Sequence, residues 1–283
     1  MTDIFSFRYK LGKKPATRDI RTIRLQDILK APEALPPIPN NFNVDSGLGF
    51  KPVESDFGNK EKGDCVIADE FNTLMRFEYC QQGLQIPVDT ATALDLYYRE
   101  QGWNGCFLSP KPDDGLSMLN SLNWWRQKGI NVAGKNYKIY AFANLPCPNG
   151  SSNLNDPLIQ AALARDDQLL FQAIYFLYGV SIGVALPRTA LAEFANGHPW
   201  SDISTGLSQI VGGHALYIKA YDQTAKTLTC ETWGQEQVMT LDWLHEYVDE
   251  LYAIIPSKDA FAPNSPIDDA KLSTILNEIT GGQ

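Results

Sequence analysis

The hydrophobic period of this chain changes once along its length, and that change restricts its fold more than any single motif. Between residues 66 and 176 apolar side chains recur at helical spacing, and beyond residue 210 they alternate as in strands. A helix-rich half followed by a strand-rich half is an α+β layout with a cleft between two lobes. In the first half, Val66 to Tyr79 carries Ile67, Phe71, Leu74 and Met75 on one face. Thr90 to Gln101 also reads as helix, and so does Leu116 to Lys128, which follows Asp113-Asp114-Gly115 and stops at Gly129. Lys138 to Ala143 alternates like a strand, Asp156 to Phe176 is helical, and Gly179 to Leu186 is a short apolar run that reads as a buried strand. In the second half, Ala215 to Tyr221 and Leu228 to Trp233 flank the turn-prone segment Asp222 to Lys226, which predicts a hairpin. A helix from Leu241 to Glu250, capped by Thr240, leads to a last strand at Tyr252 to Ile255.

The ends read differently. Residues 1–45 mix charge with Pro32, Pro36, Pro37 and Pro39, so they are expected to form an extended arm with one short helix at Arg24 to Ala31. The expected domain spans residues 46–256, with a helical lobe over about 60–175 and a β lobe over about 176–256. The tail over 257–283 holds Pro263, Pro266 and Gly281-Gly282 and is expected to be partly mobile apart from a helix near Asp269 to Ile279.

Composition narrows the function. With 24 basic against 33 acidic residues the net charge is −9, which repels a phosphate backbone and argues against nucleic acid as a partner. No segment is apolar enough for a signal peptide or a membrane span, so the expected protein is soluble, begins near Met1 and has no membrane partner. Cys65, Cys80, Cys106, Cys147 and Cys230 are an odd, widely spaced set without CxxC pairs, which argues against a disulfide framework and a structural zinc site and fits a reducing compartment. No metal or cofactor is expected.

Two segments carry chemistry. Gly58-Asn59-Lys60-Glu61-Lys62-Gly63-Asp64-Cys65 ends at the mouth of a predicted helix, where Gly63 suits a tight turn and Asp64 an N-cap. Gly212-Gly213-His214 opens a predicted strand, and Cys230-Glu231-Thr232-Trp233-Gly234 ends the strand paired with it. A helix N-terminus and a nearby imidazolium both favour a thiolate, whereas the adjacent Asp64 carboxylate opposes one. Cys65 is therefore expected to be the most alkylation-prone of the five thiols. The competing reading is a structural cysteine buried at the start of a core helix. His198 reads as a loop residue, His245 as a residue on a short amphipathic helix, and Trp124-Trp125 as core; the two histidines are fallback bases.

The order of Gly63, Cys65, Gly213-His214 and Trp233-Gly234 resembles papain-like cysteine peptidases. Gly58-Asn59, Gly63-Asp64-Cys65-Val66-Ile67-Ala68 and Thr232-Trp233-Gly234-Gln235 are more specifically similar to a divergent group associated with bacteriophages and prophages. The resemblance spans about residues 45–256. It implies a two-lobe fold with the Cys on the helical lobe and the His on the β lobe. It implies a cysteine hydrolase cleaving an amide bond of a peptide or protein substrate through a thioester, with Cys65 as nucleophile and His214 as general base. Asn59 falls where the family has its oxyanion-hole Gln, and Glu231 where it has the residue that orients the imidazole. Lys62 and Val66 stand where the family usually has Cys and Trp, and the arm is shorter than the usual inhibitory prosegment, so another form of control is expected. Two other readings share these motifs: a peptidoglycan or isopeptide amidase, and an inactive papain-like module that binds phage structural partners or a host factor. The phage-like motifs imply a place in the bacterial cytoplasm or the virion.

Overall fold

The computed structural model describes residues 9–31, 34–49, 52, 56–106, 108–147, 157–256 and 266–280. The chain begins with β1 (Ile23–Arg24), α1 (Leu25–Ile28) and β2 (Asn41–Asn43). The helical lobe follows, with α2 (Cys65–Gln82), α3 (Thr90–Glu100) and α4 (Met118–Gln127), and with the small hairpin of β3 (Ile130–Val132) and β4 (Lys135–Tyr137). Next come β5 (Ala141–Asn144), α5 (Pro157–Phe176), β6 (Val180–Pro187), α6 (Arg188–Ala195), β7 (Ile210–Asp222), β8 (Thr227–Thr232) and β9 (Gln235–Thr240). The chain closes with α7 (Leu241–Tyr247), β10 (Val248–Ile255) and α8 (Asp269–Thr280).

One sheet dominates, in the order β1-β5-β10-β6-β7-β8-β9, with β2 added to β7. β6 sits in its middle and is buried on both faces, which explains why it reads as a continuous apolar run rather than an alternating one. Two cores result. Phe71, Leu74, Leu119, Leu122 and Trp125 fill the helical lobe, while Ile182, Val184, Leu216, Ile218, Trp200 and Trp243 fill the β lobe.

α2 is the central helix. It stops at Gly83, whose φ of 66° is left-handed, and the next amide, that of Leu84, reaches back to the carbonyl of Glu78. Its buried residues include Asp69, Glu70, Asn72, Thr73 and Arg76, so it is enclosed on all sides and must solve a charge problem on each.

Two expectations about organisation are corrected, and the helix expected near Asp269 to Ile279 is present as α8. α5 belongs to the β lobe, because Leu170, Phe171, Ala173 and Ile174 pack into that core. The arm is not simply a lead-in: Ile23, Leu25 and Ile28 are buried in the same core. Part of the tail is also docked, since Ile267 and Leu272 pack there; Pro263, Gly281 and Gly282 lie outside the described residues. β9 was not anticipated from the sequence. No helix among the described residues is long and apolar enough to cross a membrane.

Candidate active site

Cys65 is the first residue of α2, preceded by Asp64 at the N-cap position, as the sequence predicts. The Asp64 side chain does not cap the helix. Its carboxyl is enclosed, and burial, with smaller contributions from Asp56 and Asp113, pushes it up to about 8 against the opposing Asn59 amide. Asn59 is itself buried and donates from Nδ2 to the Lys62 carbonyl at 3.1 Å, which fixes the loop leading to the thiol.

His214 lies on β7. The backbone of Ala215, one residue further along β7, reaches the Cys65 thiol. The imidazole is held from two sides. Its ring stacks on Trp233 with centroids 4.3 Å apart and planes 16° from parallel, and its Nε2 lies 2.7 Å from Thr232 Oγ1. Among the described residues, His214 Nδ1 has no hydrogen-bond partner. Trp233 and Gly234 are the two loop residues between β8 and β9, with φ of 46° and 73°, the paired positive angles of a type I′ turn. Glycine takes that conformation freely and tryptophan does not, so the stacking on His214 offsets part of the strain at Trp233.

The expectation that Glu231 orients the imidazole is corrected, since neither ring nitrogen bonds to it. Glu231 Oε1 instead lies 2.5 Å from Lys219 Nζ and 3.1 Å from Arg76 Nη2. Both cations also bind Asp45, Arg76 at 2.7 Å and Lys219 at 2.7 Å. Strand parity is the cause. Glu231 pairs with Tyr217 across the β7–β8 ladder, so it shares a face with Tyr217, three residues from His214 and therefore on the opposite side. Thr232, its neighbour, turns the other way and meets the imidazole. Asp45, Glu231 and Glu236 cluster closely enough to hold a metal ion, but Lys219 Nζ already sits among them, 2.7 Å from Glu236 Oε1.

The fallback histidines lie elsewhere. His245 Nε2 lies 2.6 Å from Asp167 Oδ1 on α5, and His198 is exposed in the loop after α6. Trp125 is buried in the helical core, as expected.

The N-terminal arm runs through the cleft, a course not anticipated from the sequence. Lys13 N–H donates to the Gly213 carbonyl at 3.1 Å on the β-lobe wall. On the opposite wall Leu116 N–H donates to the Gly12 carbonyl at 2.8 Å, and Lys14 N–H donates to the Leu116 carbonyl at 2.8 Å. The fit leaves no room for a side chain at Gly12, where a Cβ would fall 1.8 Å from the Gly63 carbonyl oxygen. Upstream, Tyr9 packs against Trp233 and Phe194, and Trp233 Nε1 donates to the Lys10 carbonyl at 3.1 Å. A short segment thus bridges both lobes directly over the thiol and the imidazole.

Enclosure sets the protonation of both groups. Burial pushes the Cys65 thiol up to about 11, with Asp64 adding to the shift and the backbones of Ala215 and Gly12 opposing it. Burial, reinforced by the Lys13 ammonium, pulls His214 down to about 3. In this state the pair is a neutral thiol and a neutral imidazole, so the expected ready thiolate is corrected for the covered form. Cys106 is exposed, and hydrogen bonds from Leu108 and Ser109 lower its thiol.

No protein-family model matches the chain, and no curated protein matches its sequence. Solved structures do match. Xylellain, a cysteine protease from Xylella fastidiosa, superposes with a TM-score of 0.63 at 14% identity over 89% of this chain and 97% of that one. Digestive procathepsin L2 from Tenebrio molitor larval midgut gives 0.57 at 12% identity, covering 90% of this chain and 81% of its own. Procathepsin B from Trypanosoma congolense gives 0.53 at 12%, covering 87% and 86%. The chain therefore has the α+β, two-lobe fold of papain-like cysteine proteases.

Proposed function

We propose that this chain hydrolyses peptide amide bonds with Cys65 as nucleophile and His214 as general base, and that the Tyr9 to Thr17 segment holds it latent. The observation that carries the reading is the environment of His214. Its Nε2 is fixed by Thr232, its buried Nδ1 has no partner among the described residues, and the backbone of the adjoining Ala215 touches the Cys65 thiol. With the Nε2 proton donated to Thr232 Oγ1, the Nδ1 lone pair is left to accept the thiol proton.

Once the arm leaves, water and substrate enter and the burial that keeps both groups neutral is relieved. The Cys65 proton passes to His214 Nδ1 and the sulfur attacks the substrate carbonyl carbon. The Cys65 backbone N–H, in the first turn of α2, supports the developing oxyanion, and Asn59 assists once its Nδ2 turns from the Lys62 carbonyl. As the C–N bond breaks, His214 returns its proton to the leaving amine. Water, deprotonated by the same imidazole, then cleaves the thioester and restores the thiol. Thr232 acts as a positioning residue that fixes the tautomer. A phage or prophage setting rests on the sequence motifs alone and is a proposal of the same kind.

The test uses full-length Gly12→Ala, in which the added Cβ cannot coexist with the Gly63 carbonyl, so the arm is displaced. Fluorogenic peptide amides should be cleaved by this variant and not by Gly12→Ala/Cys65→Ala. Absence of cleavage in Gly12→Ala, with Cys65 shown to be exposed by alkylation, would favour a binding module.

A further inference from the structure

The main-chain bonds that hold the arm, to Gly213 and Leu116, would accept any residue; selectivity has to come from where the side chains go. The side chain of Lys13 is 0% exposed and enters a pocket floored by β6 and walled by β10. Its Nζ lies 2.9 Å from Asp249 Oδ2 and 3.0 Å from Glu250 Oε1, and donates to the Lys14 carbonyl at 3.1 Å. Space for it exists because Gly183 has no side chain: a Cβ there would fall 2.0 Å from Lys13 Cε and 2.6 Å from Glu250 Cγ.

The pocket is built by a deliberate irregularity in β10. Consecutive strand residues point to opposite faces, so Asp249 and Glu250 should not reach one ammonium. They do because the β10–β6 register slips between Val248 and Glu250, a bulge that turns both carboxylates inward. Glu250 is positioned further by Tyr252, whose hydroxyl donates to its Oε2 at 3.1 Å. The site also has acceptor capacity that Lys13 does not use, since Asp249 Oδ1 has no hydrogen-bond partner among the described residues.

We propose that this pocket is a specificity site, with Gly183, Asp249 and Glu250 selecting a lysine or arginine side chain of the peptide substrate, and that Lys13 occupies it in the substrate's place. The proposal rests on the hydrolase reading above for its use of the word substrate. When Lys13 withdraws, the buried Glu250 carboxylate and the partly exposed Asp249 carboxylate are left without their cation, an arrangement that a bound cation relieves and a neutral side chain does not. Burial already holds Glu250 above the ordinary carboxylate range even with Lys13 beside it. The free Asp249 oxygen suits a further donor of a guanidinium's five-donor fork, so arginine should be taken at least as well as lysine. An acidic chain of net charge −9 also attracts cationic peptides over a longer range.

Two experiments on the full chain test this. Peptides differing at one position as Arg, Lys, norleucine or Glu are assayed for kcat/KM with Gly12→Ala and for binding by fluorescence anisotropy with Gly12→Ala/Cys65→Ala. Arg and Lys should be favoured over norleucine by about 10- to 100-fold, the worth of one charge-assisted contact, and Glu250→Gln should erase most of that margin. Turnover without discrimination overturns the pocket and leaves the hydrolase standing. Selective binding without turnover does the reverse. In the second experiment, Lys13→Met and Lys13→Arg are compared by the alkylation rate of Cys65. Lys13→Arg should keep the cleft covered while Lys13→Met opens it, and equal protection by methionine would show that the pocket does not require a cation.

Discussion

On one face of the β7–β8 hairpin Lys219 and Glu231 form an almost completely buried ion pair; on the other face burial pulls His214 down to about 3. The difference lies in partners. Lys219, Arg76, Glu231 and Asp45 neutralise one another at hydrogen-bond distance, so Asp45, which burial would raise, is held below its ordinary range by Arg76 and Lys219. His214 has a neutral hydroxyl on one nitrogen and an indole on its face, so burial decides its state. A buried group with an opposite charge stays ionised and serves the fold; a buried group without one is neutral and waits for solvent to return.

Removing a cation from the ion network should have the largest effect. Arg76→Met leaves Asp45 and Glu231 short of one partner, and a loss of about 3–5 kcal/mol is expected in chemical denaturation. Glu231→Gln should likewise lower stability while leaving the pH dependence of turnover in place. A collapse of turnover with unchanged stability would return Glu231 to the imidazole and undo the comparison.

Thr232→Val should act in the opposite way. Its hydroxyl touches His214 and no member of the ion network, so folding should hold while kcat of the Gly12→Ala form drops by about 10- to 100-fold, with little change in KM and a displaced acidic limb of the pH profile. Thr232→Ser, which keeps the hydroxyl, should restore most of the rate.

A smaller effect is expected from pH. Asp64, raised to about 8, keeps its proton in the folded chain while the unfolded chain loses it near 4, so its effect on stability is nil below about pH 4 and grows unfavourable as pH rises toward 8. Asp64→Asn imitates the protonated form and should raise the melting temperature more at pH 8 than at pH 5. Asp45 has the reverse sign: its folded value is depressed, so its contribution is present above about pH 4 and is lost as pH falls through that lower value.

Much of this was legible in the sequence because it is local. The α2 start at Cys65 and the β7–β8 hairpin follow from periodicity and turn chemistry. The assignment of Glu231 failed on a quantity that only pairing supplies: a one-residue change of register moves a strand residue to the other face, and Thr232 then takes the place expected for its neighbour. Counting strand parity from His214 through the Tyr217–Glu231 pair would have found Thr232, had the pairing been known. The covering arm was illegible for a different reason. An extended segment that bonds through its backbone has no period of its own, and its one visible sign, Gly12 followed by two lysines, acquires meaning only against Gly63, Gly213 and the Asp249-Glu250 bulge.

The central claim is that Cys65 and His214 form a neutral pair because the arm covers them, and the alkylation rate of individual thiols tests it most directly. In the wild type, iodoacetamide near neutral pH should modify exposed Cys106 first and leave Cys65 protected. In Gly12→Ala, Cys65 should gain about 10²-fold or more, the change in thiolate fraction on moving from about 11 to an ordinary thiol value, and overtake the other cysteines. Rapid modification of Cys65 in the wild type, or continued protection after Gly12→Ala has displaced the arm, would contradict the account.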